Sequence, residues 1–449
     1  MGDNNDNPKF MKKAGRYASL SGSAAGLAMK LAGEKFLGLK IDRDMHSEDL
    51  KKILGNLKGP IMKVGQILAT IPDALPPEYA KAFQDLQSHA PSMGWPFVKR
   101  RMKAELGPSW QDCFSDFPRE ATAAASLGQV HKSTTKDGKI VACKLQYPDM
   151  ASAIDADLNQ LKLLFKLYKQ YDSSIITDDI HEELSARLRE ELDYKNEANV
   201  QKLFAHLLKD EADVHVPNVI DDLSTSRLLT TQWVDGNHIK DYIDAPLDTR
   251  NTIALNLFKA WYTPLYHTGI IHGDPHPGNY TVRDDLSINL LDFGCVRVFR
   301  PEFVGAVIDL YNALKNEDRD LAVHAYQTWG FGDLSNDMID ILNIWAGFLY
   351  GPILDDKVRV IGETNNGVYG REKAREVHAK LRELRQGVPI PREFVFMDRA
   401  ALGIGSVCIR LQSELNWYQL FNELIDGFDV NQLQKAQNNL LPKYGLMTQ

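Results

Sequence analysis

Cysteine is scarce in this chain of 449 residues: Cys113, Cys143, Cys295 and Cys408 stand far apart, with no CxxC pair. That excludes a disulfide framework and any common zinc-binding spacing, and it suits a reducing compartment. Positive charge is short as well. The 52 Lys and Arg residues are outnumbered by 60 Asp and Glu, for a net charge of −8, where a general nucleic-acid binder would carry a basic excess. No nucleic-acid partner is expected. Long apolar runs are also missing. The stretch LSGSAAGLAMKLAGEKFL at 20–37 has Gly22 and Gly26 at GxxxG spacing, but Lys30, Glu34 and Lys35 interrupt it well short of a bilayer span. It suits either a packed amphipathic helix or a membrane-surface helix. The first residues, MGDNNDNPKFMKKAGRY, lack the apolar core of a signal peptide, and Asp6 stands where a myristoylation motif wants Ser or Thr. The expected location is therefore cytoplasmic. Any membrane contact would be peripheral, on the inner face, through Lys9, Lys12, Lys13 and Arg16.

At 44% hydrophobic the chain can bury a sizeable core, and its length suits two or three folding units. Residues 1–105 read as a helical extension. Apolar positions recur near every 3.6 residues through SEDLKKILGNLKGPIMKVGQILATI, and the double proline of PPEYAKAFQDLQ suits a helix start. Beyond Pro118 the pattern shortens to alternation. QVHKSTT and KIVACKLQ predict two strands around the turn KDG, with Gly138 supplying positive φ. Helical periods return over 150–210, VPNVIDDLSTSRLLTTQWV predicts another strand pair, and from His238 the pattern is mostly helical. This gives an extension over 1–105, a small sheet with a helical insertion over 106–235, and a helical part over 236–449. A connector near Trp233–Gly236 joins the last two, an order that suits a nucleotide cleft between two lobes.

The densest concentration of chemistry is HGDPHPGNYTVRDDLSINLLDFG, residues 272–294. Its prolines and glycines forbid regular helix, while YTV and INLL are long enough for two strands bridged by Arg283-Asp284-Asp285. Such a hairpin brings Asn279 back beside Asp292, with Asp274 on the loop before it. Two ionised carboxylates at about 4 Å repel by about 4 kcal/mol at an effective dielectric of 20, which calls for a cation. Oxygen donors select Mg²⁺, and Mg²⁺ with few protein ligands usually serves a phosphate. His272 and His276 read as loop-bracing residues rather than proton carriers.

These spacings resemble the catalytic and metal-binding loops of the protein-kinase-like fold. The resemblance makes Asp274 the catalytic-loop aspartate and gives Asn279 and Asp292 to the metal. In VACKLQ a period of two places Lys144 opposite the greasy face of Val141, Cys143 and Leu145. Lys144 then matches the kinase lysine for the α- and β-phosphates, and Ala142 the residue beneath adenine. Where a protein kinase has a glycine-rich loop, this chain has Ala123, Ala124, Ala125 and Ser126. Alanine disfavours positive φ and close backbone approach to phosphate, so a different phosphate geometry is implied.

The AAAS loop, the stretch Lys63-Val64-Gly65-Gln66, the acids Glu191, Asp193 and Glu197, and HxDPHPGN with Asp-Phe-Gly together resemble the UbiB family of atypical kinases, the ADCK proteins. The resemblance covers roughly residues 55–300. It implies an α+β, two-lobed protein-kinase-like fold with a small antiparallel-sheet N-lobe, a mostly helical C-lobe and an N-terminal helical extension. It further implies binding of ATP or ADP with Mg²⁺ and support of ubiquinone or other isoprenoid-lipid metabolism, with ATPase activity favoured over protein phosphorylation. Glu197 would pair with Lys144, while Glu191 and Asp193 would hold Lys63 and the helix containing Gln66. On an ideal helix Glu191 lies about 200° from Asp193, so either the helix begins or bends near Leu192, or Glu190 partly substitutes. After Asp292-Phe293-Gly294 the chain passes through CVRVFRP into an apolar helical pattern, leaving no room for a peptide-docking activation segment. Two other readings remain: a small-molecule phosphotransferase of the aminoglycoside or choline kinase sort, and a nucleotide-gated scaffold for a lipid or protein with little turnover.

Overall fold

The computed structural model describes residues 93–155 apart from Ser126, residues 158, 159, 162, 185 and 186, residues 188–361, and residues 391–446. The expected helical extension therefore lies almost wholly outside the described residues. The chain divides into two compact units whose boundaries cut through strands. One comprises the segment ending at Arg101 with Pro118–His131 and Lys144–Leu192; the other comprises Met102–Phe117, Lys132–Cys143 and Asp193–Gln449.

The strands β1 (Phe114–Asp116), β2 (Ala123–Ala125), β3 (Gly128–Thr135), β4 (Ile140–Gln146) and β6 (Leu228–Gln232) form one sheet in the order β1-β3-β4-β6, with β2 also on β3. The β3–β4 turn forms as its sequence predicts, with Gly138 at φ +82° and its N–H donating to Thr135 O. Alternation along β4 is equally clear, since Val141, Cys143 and Leu145 are fully buried while Ala142 and Lys144 are half-buried. The second expected strand pair is only half realised. β6 forms, but its neighbour is the single bridge Val219↔Thr231 followed by a 3-10 turn at Asp221–Leu223. Ser224 Oγ donates to Ile220 O and Thr230 O, a side-chain bond that competes with a ladder.

In the first unit both backbone polar groups of Met93 are bonded to the side chain of Gln129. Gln129 accepts from Met93 N–H at 2.7 Å and donates to Met93 O at 3.2 Å. Gln129 also meets His131 Nε2 at 2.8 Å, and the other ring nitrogen of His131 meets Pro118 O at 3.0 Å. Burial lowers the His131 pKa, favouring the neutral ring that this pattern needs. From helix α1 (Trp95–Leu106), Arg101 donates to Gln146 O and Tyr147 O at the end of β4.

The second unit is organised around helix α3 (Leu247–Thr268), which follows α2 (Tyr194–Leu207). Ile253, Leu257, Trp261 and Leu265 recur every fourth position and are all fully buried, one face of a 3.6-residue period. Gly269 ends the helix at φ +69°, its N–H donating to Leu265 O. Strand β7 (Ile270–His272) follows at once and pairs antiparallel with β10 (Val296–Val298). Between them the predicted hairpin forms, with β8 (Tyr280–Val282) on β9 (Ile288–Leu290) in the register Tyr280↔Leu290, Thr281↔Asn289 and Val282↔Ile288. The short β5 (Val214–His215) adds to β9 in parallel. The described part of the unit also contains helices α4 (Pro301–Asn316), α5 (Arg319–Trp329), α6 (Asn336–Tyr350), α7 (Arg392–Leu411), α8 (Trp417–Ile425) and α9 (Val430–Leu440), with a two-strand pair of β11 (Arg359–Val360) and β12 (Glu414–Leu415). The C-terminal part is thus less purely helical than its periodicity suggests, because β7, β10, β11 and β12 are too short to leave a pattern.

Gln437 of α9 fastens this arrangement from below. It is fully buried, and its Nε2 donates to Thr268 O at the end of α3 and to Phe299 O just past β10, at 2.9 and 2.8 Å. Replacing Gln437 by Leu strands two carbonyls without their donor and should lower unfolding stability by about 2–4 kcal/mol. Urea denaturation of the two proteins measures this; a change below about 0.5 kcal/mol would mean the carbonyls find other donors.

Candidate active site

Two loops meet at His272. One, 273–279, carries Asp274 and Asn279; the other, 291–295, carries Asp292 and Phe293. The backbone N–H of Asp274 donates to His272 Nδ1 at 3.3 Å, while His272 Nε2 bonds the carbonyl of Asp292. A carbonyl only accepts, so the ring proton sits on Nε2 and Nδ1 is left as an acceptor. The ring is 1% exposed and is boxed in by Trp261, Phe204 of α2 and Phe293. Gly273 continues the β7–β10 pairing, its N–H donating to Cys295 O at 2.7 Å, and a Cβ there would meet Cys295 Sγ at 3.0 Å.

The hairpin brings Asn279 to the same place. Its backbone carbonyl accepts from Leu291 N–H at 2.9 Å, and its Nδ2 donates to Asp274 O at 3.1 Å. The second bond fixes the amide orientation, so Oδ1 is the atom presented on the other side. Asp292 turns on itself, accepting Gly294 N–H on Oδ1 at 3.0 Å. Asp274, Asn279 and Asp292 are each partly exposed. His276 accepts from Gly278 N–H and so caps the 3-10 turn Pro277–Asn279.

This donor set fits one metal chemistry. The side-chain oxygens of Asn279 and Asp292 are hard donors, and among the described residues no group of three or more His, Cys, Asp or Glu forms a self-sufficient cage. Two protein oxygens would suit Mg²⁺, which keeps most of its shell for water and phosphate, where Zn²⁺ or Ca²⁺ would need a fuller protein shell.

Helix α2 carries Glu197, 3% exposed, and Phe204, fully buried. Seven residues apart, they share a helix face to within about 20°. Phe204 lies 5.3 Å from Phe293 between ring centroids, so the aromatic contact that seats the Asp292 loop also fixes the helix bearing Glu197. Asp193 is the N-cap of α2, accepting from Asn196 N–H at 3.0 Å. Glu191 belongs to the preceding turn, where Leu192 N–H donates to Arg189 O. The helix therefore begins after Leu192, and Glu191 and Asp193 are not on its regular part. Gln146 ties that turn to β4 by donating to Leu192 O at 2.9 Å.

The expected alanine loop is a strand. Ala123, Ala124 and Ala125 pair with Val130, Gln129 and Gly128, and none of them has positive φ. Small side chains suit a ladder as readily as a loop. Ser126, Lys63 and Gln66 lie outside the described residues. Lys144 and Ala142 share one face of β4, with Lys144 in the first unit and Ala142 in the second. Between them Cys143 points to the core, its thiol pushed up to about 12 by burial and thus inert. Missed from sequence were Phe204 and strand β10, whose only trace is the alternation Val296-Arg297-Val298.

Replacing His272 by Phe keeps ring volume but removes both bonds. It should lower stability by about 2–4 kcal/mol and loosen Asp274 relative to Asp292. Thermal melts and hydrogen exchange over 272–294 would show it, and wild-type exchange in that segment would refute the bracing role.

Residues 85–326 match the ABC1 atypical kinase-like domain. The mitochondrial atypical kinase coq-8 of Caenorhabditis elegans is 26% identical over 93% of this chain and 57% of its own length. The mitochondrial atypical kinase COQ8B of Rattus norvegicus is 27% identical over 91% of this chain and 79% of its own. Rv3197 of Mycobacterium tuberculosis, solved as a complex with erythromycin, matches with a TM-score of 0.57 and 28% identity over 86% of this chain and 97% of that one. The chain spans little more than half of the worm relative, so the activity of such longer proteins is not carried over whole. The chain belongs to the ABC1, or UbiB, family of atypical kinases and has its α+β protein-kinase-like fold.

Proposed function

We propose that the protein is a Mg²⁺-dependent, ATP-binding atypical kinase or ATPase that supports ubiquinone or other isoprenoid-lipid metabolism. The observation that carries this reading is the joining of Asp274, Asn279 and Asp292 through His272 and the β8–β9 hairpin. Asn279 and Asp292 would hold the metal, which when bound supplies charge neutralisation of the phosphates. Asp274 would orient the attacking hydroxyl or water and accept its proton. Lys144 would bind the α- and β-phosphates and be held in place by Glu197, whose burial demands a cationic or hydrogen-bonding partner. Ala142 would lie under the base, and the Ala123–Ala125 strand with Ser126 would border the phosphates. Lys63 and Gln66 would be held against the site by Glu191 and Asp193.

The acceptor in this reading is water or a small molecule. Only residues 295–300 separate Gly294 from helix α4, and three of them form β10, so the long segment on which peptides dock has no counterpart. The erythromycin complex of the mycobacterial neighbour favours a small-molecule partner in the same direction. Among the described residues no helix is long and apolar enough to cross a membrane; we place the protein peripherally on a membrane face, and the mitochondrial names of relatives favour an organelle.

MgADP at 100 times its Kd should stabilise the protein by about 2.7 kcal/mol. Asp292→Asn should remove the Mg²⁺-dependent part of that gain and Lys144→Met most of the remainder, with phosphate release lost in both. Calorimetric melts with and without Mg²⁺ test this, and equal stabilisation of wild type and Asp292→Asn would end the metal assignment. Phosphate release measured with anionic vesicles and a quinone-precursor phenol distinguishes a lipid-linked acceptor from water.

A further inference from the structure

Helix α7 presses on the loop that carries Asp274. A Cβ built on Gly403 would stand 2.0 Å from Pro275 Cγ and 2.8 Å from Pro275 Cβ, whereas a Cβ on Gly405, two residues along the same helix, would meet nothing within 4 Å. The close approach therefore belongs to one position rather than to small residues in general. Added volume at Gly403 has to be taken up by one side, and α7 is the stiffer. Its C-terminal carbonyls at Leu411 and Gln412 accept from Arg250 Nη1 at 2.5 and 3.0 Å. Glu393 in its first turn pairs with Arg300 at 3.1 Å, and Ile404, Val407, Cys408 and Leu411 are buried in the core. The segment from Gly273 to His276 has no regular structure.

Pro275 follows Asp274 directly, and Asp274 O is the acceptor for Asn279 Nδ2. In protein kinases the segment after Asp-Phe-Gly helps order the catalytic loop. Here that segment is short, and Arg300 at its end is bonded to α7. We propose that α7 takes the place of an activation segment as the support of the catalytic loop, with Gly403 as the positioning residue that sets where Asp274 stands. The assignment of chemistry to Asp274 rests on the function proposed above; the steric claim does not.

Hydrogen exchange of the full chain without nucleotide tests the steric claim. Gly403→Ala should speed exchange over 273–280 tenfold or more, while Gly405→Ala leaves it unchanged and raises the melting temperature, since alanine is the better helix former. Equal exchange in the two variants overturns the proposal. Phosphate release should fall at least tenfold in Gly403→Ala with MgADP affinity changed less than threefold, and Pro275→Gly added to it should recover at least threefold by removing the obstructing ring. If Gly403→Ala does not fold, the double variant must regain a cooperative melt, and one that stays unfolded overturns the contact. A wild type that neither binds MgADP nor releases phosphate sinks the proposed function, while the exchange comparison still decides this inference.

Discussion

The pair of hydrogen bonds made by His272 is the constraint to which the site answers. One ring nitrogen accepts from the Asp274 backbone and the other donates to the Asp292 carbonyl, so an imidazole's width sets the separation of the two loops. That span can be held only if the ring neither turns nor changes its proton. Burial among Trp261, Phe204 and Phe293 stops the turning, and the Asp274 N–H aimed at Nδ1 opposes a second proton. Trp261 Nε1 also donates to His272 O, so one residue of α3 fixes both the ring and its backbone. The length of α3 and its glycine stop decide where β7 begins, and hence where His272 arrives.

The same cluster links the Asp292 loop to α2. Phe293 has no polar role, yet its contact with Phe204 means that the Asp292 loop and the face bearing Glu197 cannot shift independently. A packed aromatic interface transmits displacement because interiors are too dense to absorb it. A loop out of place would therefore cost the helix its seat.

What was legible in the sequence is what depends on neighbours in the chain. The β3–β4 turn, the β8–β9 hairpin and the alternation that turns Lys144 away from Cys143 follow from turn residues and a period of two, and all form. What was illegible depends on distant partners. Three residues at 270–272 become a strand only because 296–298 lie beside them, and no local pattern beyond the brief alternation Val296-Arg297-Val298 marks either. The alanine run takes strand rather than loop form for a related reason. Poor phosphate-loop chemistry said what Ala123–Ala125 could not do, but pairing with Gly128–Val130 decided what they became. Gly403 and Pro275, separated by most of the C-terminal part, are beyond any local pattern.

Asp193 shows where the family resemblance and the local physics pull apart. As N-cap it satisfies one of the orphan N–H groups of α2 and sits in the positive end field of the helix. That field disfavours a cation close by. An ammonium brought to Asp193 from the N-terminal extension, as proposed for Lys63, would meet a carboxylate already engaged and a helix end of its own sign. Glu191 lies in the turn before the helix, outside the capping bond. The local role of Asp193 is thus to start the helix that delivers Glu197, whatever else its carboxylate meets.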